Sequence, residues 1–276
     1  MKTILTIQSQ VAGARVGNSI AAFAIERLGV GAIALPTTLY GRRPDRGAPG
    51  GEAVSADLLR GMLAGLDADG RLKNVDAVLS GYLANAEQAD FVLEAVDKVK
   101  AQNTDAIYMC DPVMGDEGGA YVKDATADAI VEGLVRQADW IAPNAWEMGR
   151  ISGRPCTDLE TARTAARRLG KPCLISSLPT ENGIGVLYAA PTGDWLAETA
   201  ILPAAPKGTG DLLTALFLAR RVLGQAPAVS LEAAMGAVYD VAVRSIAAGS
   251  DDLVLPDAQD LLETPRTWPR ATSLGT

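Results

Sequence analysis

Short apolar runs alternate with amphipathic stretches along the whole chain. Residues 4–8 form an apolar, β-branched run that reads as a strand. Residues 17–28 carry Ile20, Phe23, Ala24 and Leu28 on one helical face and stop at Gly29, a residue suited to a helix end. The same alternation predicts strands at 32–36, 77–80, 106–110, 140–142 and 173–176. Between them fall helices at 55–66, 86–101, 124–137 and 158–169, the first with Ser55 as its N-cap. Residues 185–189 and 195–201 read as a hairpin, and 208–223 and 230–247 as two long helices. Buried strands joined by helices predict an α/β fold, a mostly parallel central sheet with helices on both faces. Ligands in such folds bind beyond the carboxyl ends of the strands. Polar residues gather at those ends: Gln8-Ser9, Ser80-Gly81-Tyr82, Asp111-Pro112, Asn144 and Ser176-Ser177. Their register predicts one site along one edge of the sheet.

One segment breaks the rhythm. Residues 40–51 are dense in Gly, Pro and Arg and read either as a flap beside the site or as a solvated loop. Residues 1–276 otherwise read as one domain without internal repeats, and the turn-rich tail at 264–276 is expected to fray.

Composition narrows the chemistry. With 48% hydrophobic and 21% charged residues the chain is expected to fold. A net charge of -8 disfavours nucleic acid and anionic membranes as general partners. Histidine is absent from the sequence, which removes Ser-His-Asp triads, Cys-His dyads and histidine metal sites. Acid–base work falls to Asp, Glu, Lys, Tyr or Cys, and any metal is expected to be a hard ion held by oxygen. Cys110, Cys156 and Cys173 form no Cys-x-x-Cys pair and fit a reduced, cytoplasmic setting as structural thiols. The N-terminus lacks a signal-peptide pattern, and no apolar stretch reaches membrane-spanning length.

The strongest local signal is Lys207-Gly208-Thr209-Gly210-Asp211, running straight into the apolar helix that begins at Leu212. Two glycines let the backbone approach a ligand, and free N–H groups at a helix start attract phosphoryl oxygens. Asp211 in that first turn suits a general base that takes a proton from an alcohol; it equally suits a helix start on dipole grounds. Asp111, with Asp116 soon after it, ends a buried strand and could organise Mg²⁺ and phosphates, or simply make an Asp-Pro turn. Asn144 and Glu147 are spaced either to face one metal-hydration site or to form a helix capping box. Ser9 offers a hydroxyl and Tyr82 a ring to a polar, aromatic ligand, and each also has an ordinary structural use.

Taken together, these segments resemble the pyridoxal kinases, a branch of the ribokinase superfamily. The resemblance runs through Ile7-Gln8-Ser9, Gly17-Asn18, Leu79-Ser80-Gly81-Tyr82-Leu83, Cys110 to Asp116, Ala142-Pro143-Asn144 with Glu147, and the Gly208-Thr209-Gly210-Asp211 stretch. It implies a ribokinase-like three-layer α/β/α sandwich that transfers the γ-phosphoryl group of ATP to the 5′-hydroxymethyl of a B6 vitamer. It further implies Asp211 as the base and the N–H groups of Gly208, Thr209 and Gly210 around the transferring group. Asp111 and Glu147 would act at Mg²⁺, and Asp116, Tyr121, Asn144, Ser176, Ser177 and Lys207 along the nucleotide. Ser9, Val16 and Tyr82 would line the vitamer pocket, in a homodimer responsive to a monovalent cation such as K⁺. Two departures fall on the substrate side. Gln10 stands where the family has His, and Pro44 stands at a flap position where the family has Thr. A kinase of another small alcohol, such as a hydroxymethylpyrimidine, and a catalytically silent vitamer- or nucleotide-binding protein therefore remain alternatives. Arg42, Arg43 and Arg46 are expected to close over the site and touch phosphate or an acidic group.

Overall fold

The structure is a computed structural model that describes residues 1–275. The chain enters through β1 (Thr3–Val11), turns into α1 (Asn18–Arg27) and returns as β2 (Gly31–Tyr40). A 3-10 turn at Pro44–Arg46 and a short strand β3 (Gly51–Ala53) precede α2 (Ala56–Ala68) and β4 (Ala77–Ser80). Next come α3 (Glu87–Gln102), β5 (Ile107–Cys110) and a small hairpin of β6 (Gly115–Asp116) with β7 (Gly119–Ala120). The helix α4 (Asp124–Ala129) widens into a π-helical segment, Ile130–Val135, before β8 (Trp140–Ile141). Two helices, α5 (Ala145–Ser152) and α6 (Leu159–Leu169), lead to β9 (Cys173–Thr180), β10 (Gly183–Ala190) and β11 (Gly193–Thr199). After α7 (Thr209–Val222), α8 (Pro227–Ala247) and α9 (Gln259–Glu263), the last described element is β12 (Thr272–Ser273).

Among the described residues one sheet runs in the order β12-β11-β10-β9-β8-β5-β4-β1-β2-β3. Its centre, from β9 to β2, is parallel, and the predicted hairpin adds β10 and β11 antiparallel at one side. Strand alternation sorts side chains into two cores. Leu5, Val78, Tyr108, Ile141 and Ile175 face one core with α2, α3, α5 and α6. Ile4, Leu79, Met109, Leu174 and Tyr188 face the other with α1, α7, α8 and α9. The three-layer sandwich expected from the pattern is therefore present. The helix α7 is buried continuously from Leu212 to Arg220, so the element that starts at the glycine-rich motif runs through the middle of the second core.

Three local expectations need correction. The second strand does not stop at Pro36 but continues to Tyr40. An outer neighbour, β3, joins β2 only at Thr38 to Tyr40, and an edge position tolerates the missing N–H. The helix read at 124–137 changes to the wider π form halfway along. The tail is docked rather than frayed. Asp240 accepts hydrogen bonds from the Thr267 N–H and hydroxyl at 3.0 and 2.6 Å, and Glu232 accepts from the Ala271 N–H at 2.8 Å. Thr276, the last residue of that segment, lies outside the described residues.

Candidate active site

A cleft of about 740 Å³ opens at the carboxyl ends of the parallel strands, and every residue that the resemblance implied for catalysis, Mg²⁺, nucleotide or vitamer lines it, whereas Gln10, Arg42 and Arg46 do not. The register of polar strand ends has become a wall: Ser9 near the end of β1, Tyr82 after β4, Asp111 after β5, Asn144 after β8 and Ser176 within β9.

The glycine-rich turn forms one end of the floor. Gly208 adopts φ 93°, and a Cβ there would lie 2.4 Å from Ile20 Cδ1 and 2.7 Å from the Arg15 carbonyl oxygen. Only glycine satisfies both the left-handed backbone and the close approach of the α1 loop. Thr209 then opens α7 with no side-chain cap, so its first N–H groups, with those of Gly210, are left for a ligand. Asp211 follows, half-buried at the cleft floor. Its Oδ2 accepts a 2.9 Å hydrogen bond from the Gly17 N–H. Gly17 is held close: at φ 57° a Cβ would meet the Ser9 carbonyl and hydroxyl oxygens at 2.4 Å. Desolvation pushes the Asp211 carboxyl up to about 6, with the Gly17 bond opposing the rise.

Behind Asp211 sits a second carboxylate. Asp111 is 7% exposed, and its Oδ2 accepts from the Thr214 hydroxyl at 2.9 Å. Burial, then the neighbouring Glu147 and Asp211 charges, push it well above the carboxylate range. Thr214, one turn past Asp211 on α7, escaped the sequence reading because a buried helical threonine carries no local signal of a partner on another strand.

Asn144 and Glu147 make the capping box, Asn144 Oδ1 accepting from the Glu147 N–H and Glu147 Oε2 from the Asn144 N–H, both at 2.9 Å. Glu147 Oε1 also accepts from the Met114 and Gly115 N–H groups at 2.8 and 3.3 Å, while the Asn144 amide donates to the Gly115 carbonyl at 2.8 Å. The two residues thus fix the turn after Asp111. Desolvation raises the Glu147 carboxyl to about 7 against these three donors.

A hard cation fits this donor set in part. Asp111 is a buried carboxylate whose Oδ1 lies free of side-chain donors and whose raised pKa reflects uncompensated charge. Glu147 has both oxygens engaged by backbone, so it would act on the ion's water shell. Among the described residues no cluster of three or more acidic, Cys or His side chains forms a cage.

At the nucleotide end, β9 bulges so that Ser176 and Ser177 stand against a single residue of β10. Ser177 takes φ 60°, a left-handed conformation for a residue with a Cβ. Lys207 Nζ reaches across to Asp116 at 3.0 Å and to the Tyr121 hydroxyl at 3.2 Å, and Tyr121 donates to Asp116 as well. These three form a clasp over the cleft rather than three free groups. Met235, Val238 and Tyr239 of α8 supply an apolar part of the lining that the sequence pattern of a long helix at 230–247 did not single out.

Ser9, Val16 and Tyr82 line the cleft together with Tyr40, Arg43, Pro44 and Asp45 of the irregular segment. The segment is therefore beside the cleft, but its arginines are not free for an anion. The Arg43 guanidinium binds Asp45 at 3.1 Å and Asp252 at 2.8 Å. Arg46 pairs with Asp251, and Arg42 donates to the Ala48 carbonyl at 2.8 Å within the segment. Gln10 lines a separate recess of about 400 Å³ with Arg15 and Asp252, outside the main cleft.

The sequence model of the family described as phosphomethylpyrimidine kinase matches residues 24–254. A pyridoxal kinase of Paraburkholderia xenovorans is 37% identical over 277 residues, spanning 97% of this chain and 96% of that relative. Another, from Leifsonia xyli subsp. xyli, is 34% identical over 272 residues, spanning 95% and 96%. A solved pyridoxal kinase of Leishmania donovani in complex with ADP and pyridoxamine superposes with a TM-score of 0.93 at 26% identity, covering 99% of this chain and 100% of that one.

Proposed function

The chain belongs to the pyridoxal kinase family, and on that premise we propose that Asp211 is the base in transfer of the γ-phosphoryl group of ATP to the 5′-hydroxymethyl of pyridoxal. It is a phosphotransferase with an alcohol acceptor, and ATP-dependent phosphorylation of pyridoxal is its activity. The observation that carries the assignment is the pairing of Asp211 with the uncapped start of α7 at the floor of the cleft.

The alcohol would lie at the Ser9–Tyr82 end with its hydroxyl against Asp211. The Gly17 N–H fixes the carboxylate so that one oxygen faces the incoming proton. As the alcohol oxygen attacks phosphorus, its proton passes to Asp211 and ADP leaves. The N–H groups of Gly208, Thr209 and Gly210 stabilise charge on the moving phosphoryl group, a role suited to a helix start. Lys207 sits beside the phosphate path, held by Asp116 and Tyr121. Asp111 would hold Mg²⁺, with Glu147 on its hydration shell, and the ion when bound spreads phosphate charge. Ser176, Ser177 and Asn144 would flank the nucleotide.

The family resemblance leads us to include a homodimer and a monovalent cation such as K⁺ in the reading, with the whole chain working as one kinase domain and residues 40–51 as its flap. A cytoplasmic setting is supported by three buried free cysteines; among the described residues no helix is long and apolar enough to cross a membrane.

A second reading is favoured by the flap. Pro44 and the Arg43–Asp45 pair at the alcohol end change the groups that meet the ring, so a hydroxymethylpyrimidine is the competing acceptor. An ATP-consumption assay over pyridoxal, pyridoxamine, pyridoxine and hydroxymethylpyrimidine tests both. Pyridoxal should give the highest kcat/KM. Preference for the pyrimidine would move the substrate assignment, and ligand binding with no phosphorylated product would refute the enzyme.

A further inference from the structure

The flap is tied to the phosphoryl-binding turn by charges that the core does not need. Arg43 sits at its tip with a side chain only 8% exposed, and lines the alcohol end of the cleft. One edge of its guanidinium grips Asp45, with Nε and Nη2 each 3.1 Å from a carboxylate oxygen. The remaining nitrogen, Nη1, reaches Asp252 Oδ1 at 2.8 Å. Arg46 pairs with Asp251 and lies 3.7 Å from Asp252 Oδ2.

Asp251 and Asp252 follow α8 and are themselves attached to the catalytic floor. The Lys207 N–H donates to the Asp251 carbonyl at 3.4 Å, and Lys207 and Asp252 form an isolated parallel bridge. Lys207 is the residue before Gly208. The Ser250 hydroxyl donates to the Asp252 carbonyl at 2.7 Å and accepts from its N–H at 3.2 Å, which stiffens the loop. One short segment therefore holds the flap through side chains and the phosphoryl turn through backbone. A nearly buried ion pair contributes little net stability over apolar packing of the same volume, so its use is better sought in positioning.

Resting on the kinase reading, we propose that Asp252 is a positioning residue: through Arg43 it holds the flap closed over the alcohol, and through its backbone it makes that closure respond to phosphate at the Gly208 turn. Closure excludes water from the phosphoryl group, which keeps transfer directed at the alcohol.

The test is Asp252→Asn, which keeps the backbone bonds and the side-chain shape while removing the charge. Steady-state kinetics should show the vitamer KM rising about tenfold or more, with the ATP KM within about twofold, the signature of a lost alcohol-side contact. The ratio of ADP to phosphorylated product should rise as water competes. Adding Arg43→Met to Asp252→Asn should worsen neither effect. Independently of any alcohol, limited trypsin digestion reads the flap at Arg42 and Arg46. In the unsubstituted protein Mg·ATP should slow cleavage there, and in Asp252→Asn that protection should be lost. An unchanged vitamer KM, or nucleotide protection that survives the substitution, would overturn the proposal. So would a uniform rise in both KM values together with a fall in Tm, which marks a purely structural role. Failure of the unsubstituted protein to phosphorylate any vitamer would instead refute the substrate reading, and the digestion would still decide the coupling.

Discussion

Replacing Asp211 by Asn should make the protein more stable while nearly abolishing turnover. Desolvation lifts this carboxyl from 3.8 to about 6 even after the Gly17 hydrogen bond has lowered it. A rise of about 2 units corresponds to roughly 3 kcal/mol of unfavourable ionisation, at about 1.4 kcal/mol per unit. The sign follows from proton binding. Between the unfolded and folded values the native state binds more protons than the unfolded chain, so this group's contribution to stability falls as pH rises from about 4 to about 6. Above the folded value the penalty is fully present; below the unfolded value both states are neutral and it vanishes. An asparagine carries no such penalty, and its amide oxygen still faces the Gly17 N–H. Urea denaturation should therefore show the variant more stable by about 1–3 kcal/mol at pH 8 and level with the parent near pH 4. The kcat should fall by roughly 10²–10⁴, the usual weight of a positioned base. In the parent protein kcat/KM should rise with pH through a value near 6 as the carboxylate ionises. A stability difference that does not change with pH, or an Asn variant that turns over near normally, would refute the reasoning.

Three further outcomes follow from the same geometry. Gly208→Ala must accept a left-handed backbone and push Ile20 or the Arg15 carbonyl aside; it should cost about 2–4 kcal/mol by denaturation and lower kcat sharply. Thr214→Val removes the hydroxyl that serves buried Asp111, and the orphaned carboxylate should cost about 1–3 kcal/mol and weaken Mg²⁺ activation. Ser177→Gly relieves the left-handed strain at φ 60°; calorimetry should show Tm rising by roughly 1–4 °C while the ATP KM increases.

The layered sheet was legible because its central strands are apolar on both faces and punctuated by polar residues at one end, a pattern that needs no long-range information. The motif at 207–211 was legible for a related reason: two glycines before an apolar helix state a local geometry. What escaped were relations between distant residues. Nothing near Arg43 announces that Asp252 will neutralise it, so a cluster of arginines read as a free cationic surface. Lys207, Asp116 and Tyr121 read as separate nucleotide contacts and turned out to hold one another. Asn144 and Glu147 offered two readings from one spacing, and the capping box leaves Glu147 in the cleft wall as well. Pro36 looked like a stop because proline usually ends a ladder, and only the vacant edge beside it explains why the strand runs on.

The depth at which α7 is set has a thermal and kinetic corollary. The backbone amides of its buried stretch, Leu212 to Arg220, lie beyond reach of solvent except through wholesale opening, so they should rank among the slowest to exchange for deuterium. Heating should then leave the phosphoryl turn intact until the entire molecule melts, and lost turnover should track loss of native signal degree for degree. The acceptor pocket hangs instead on a surface strap, so a lineage can retailor what it phosphorylates by rewriting that strap while the machinery beneath stays as it was.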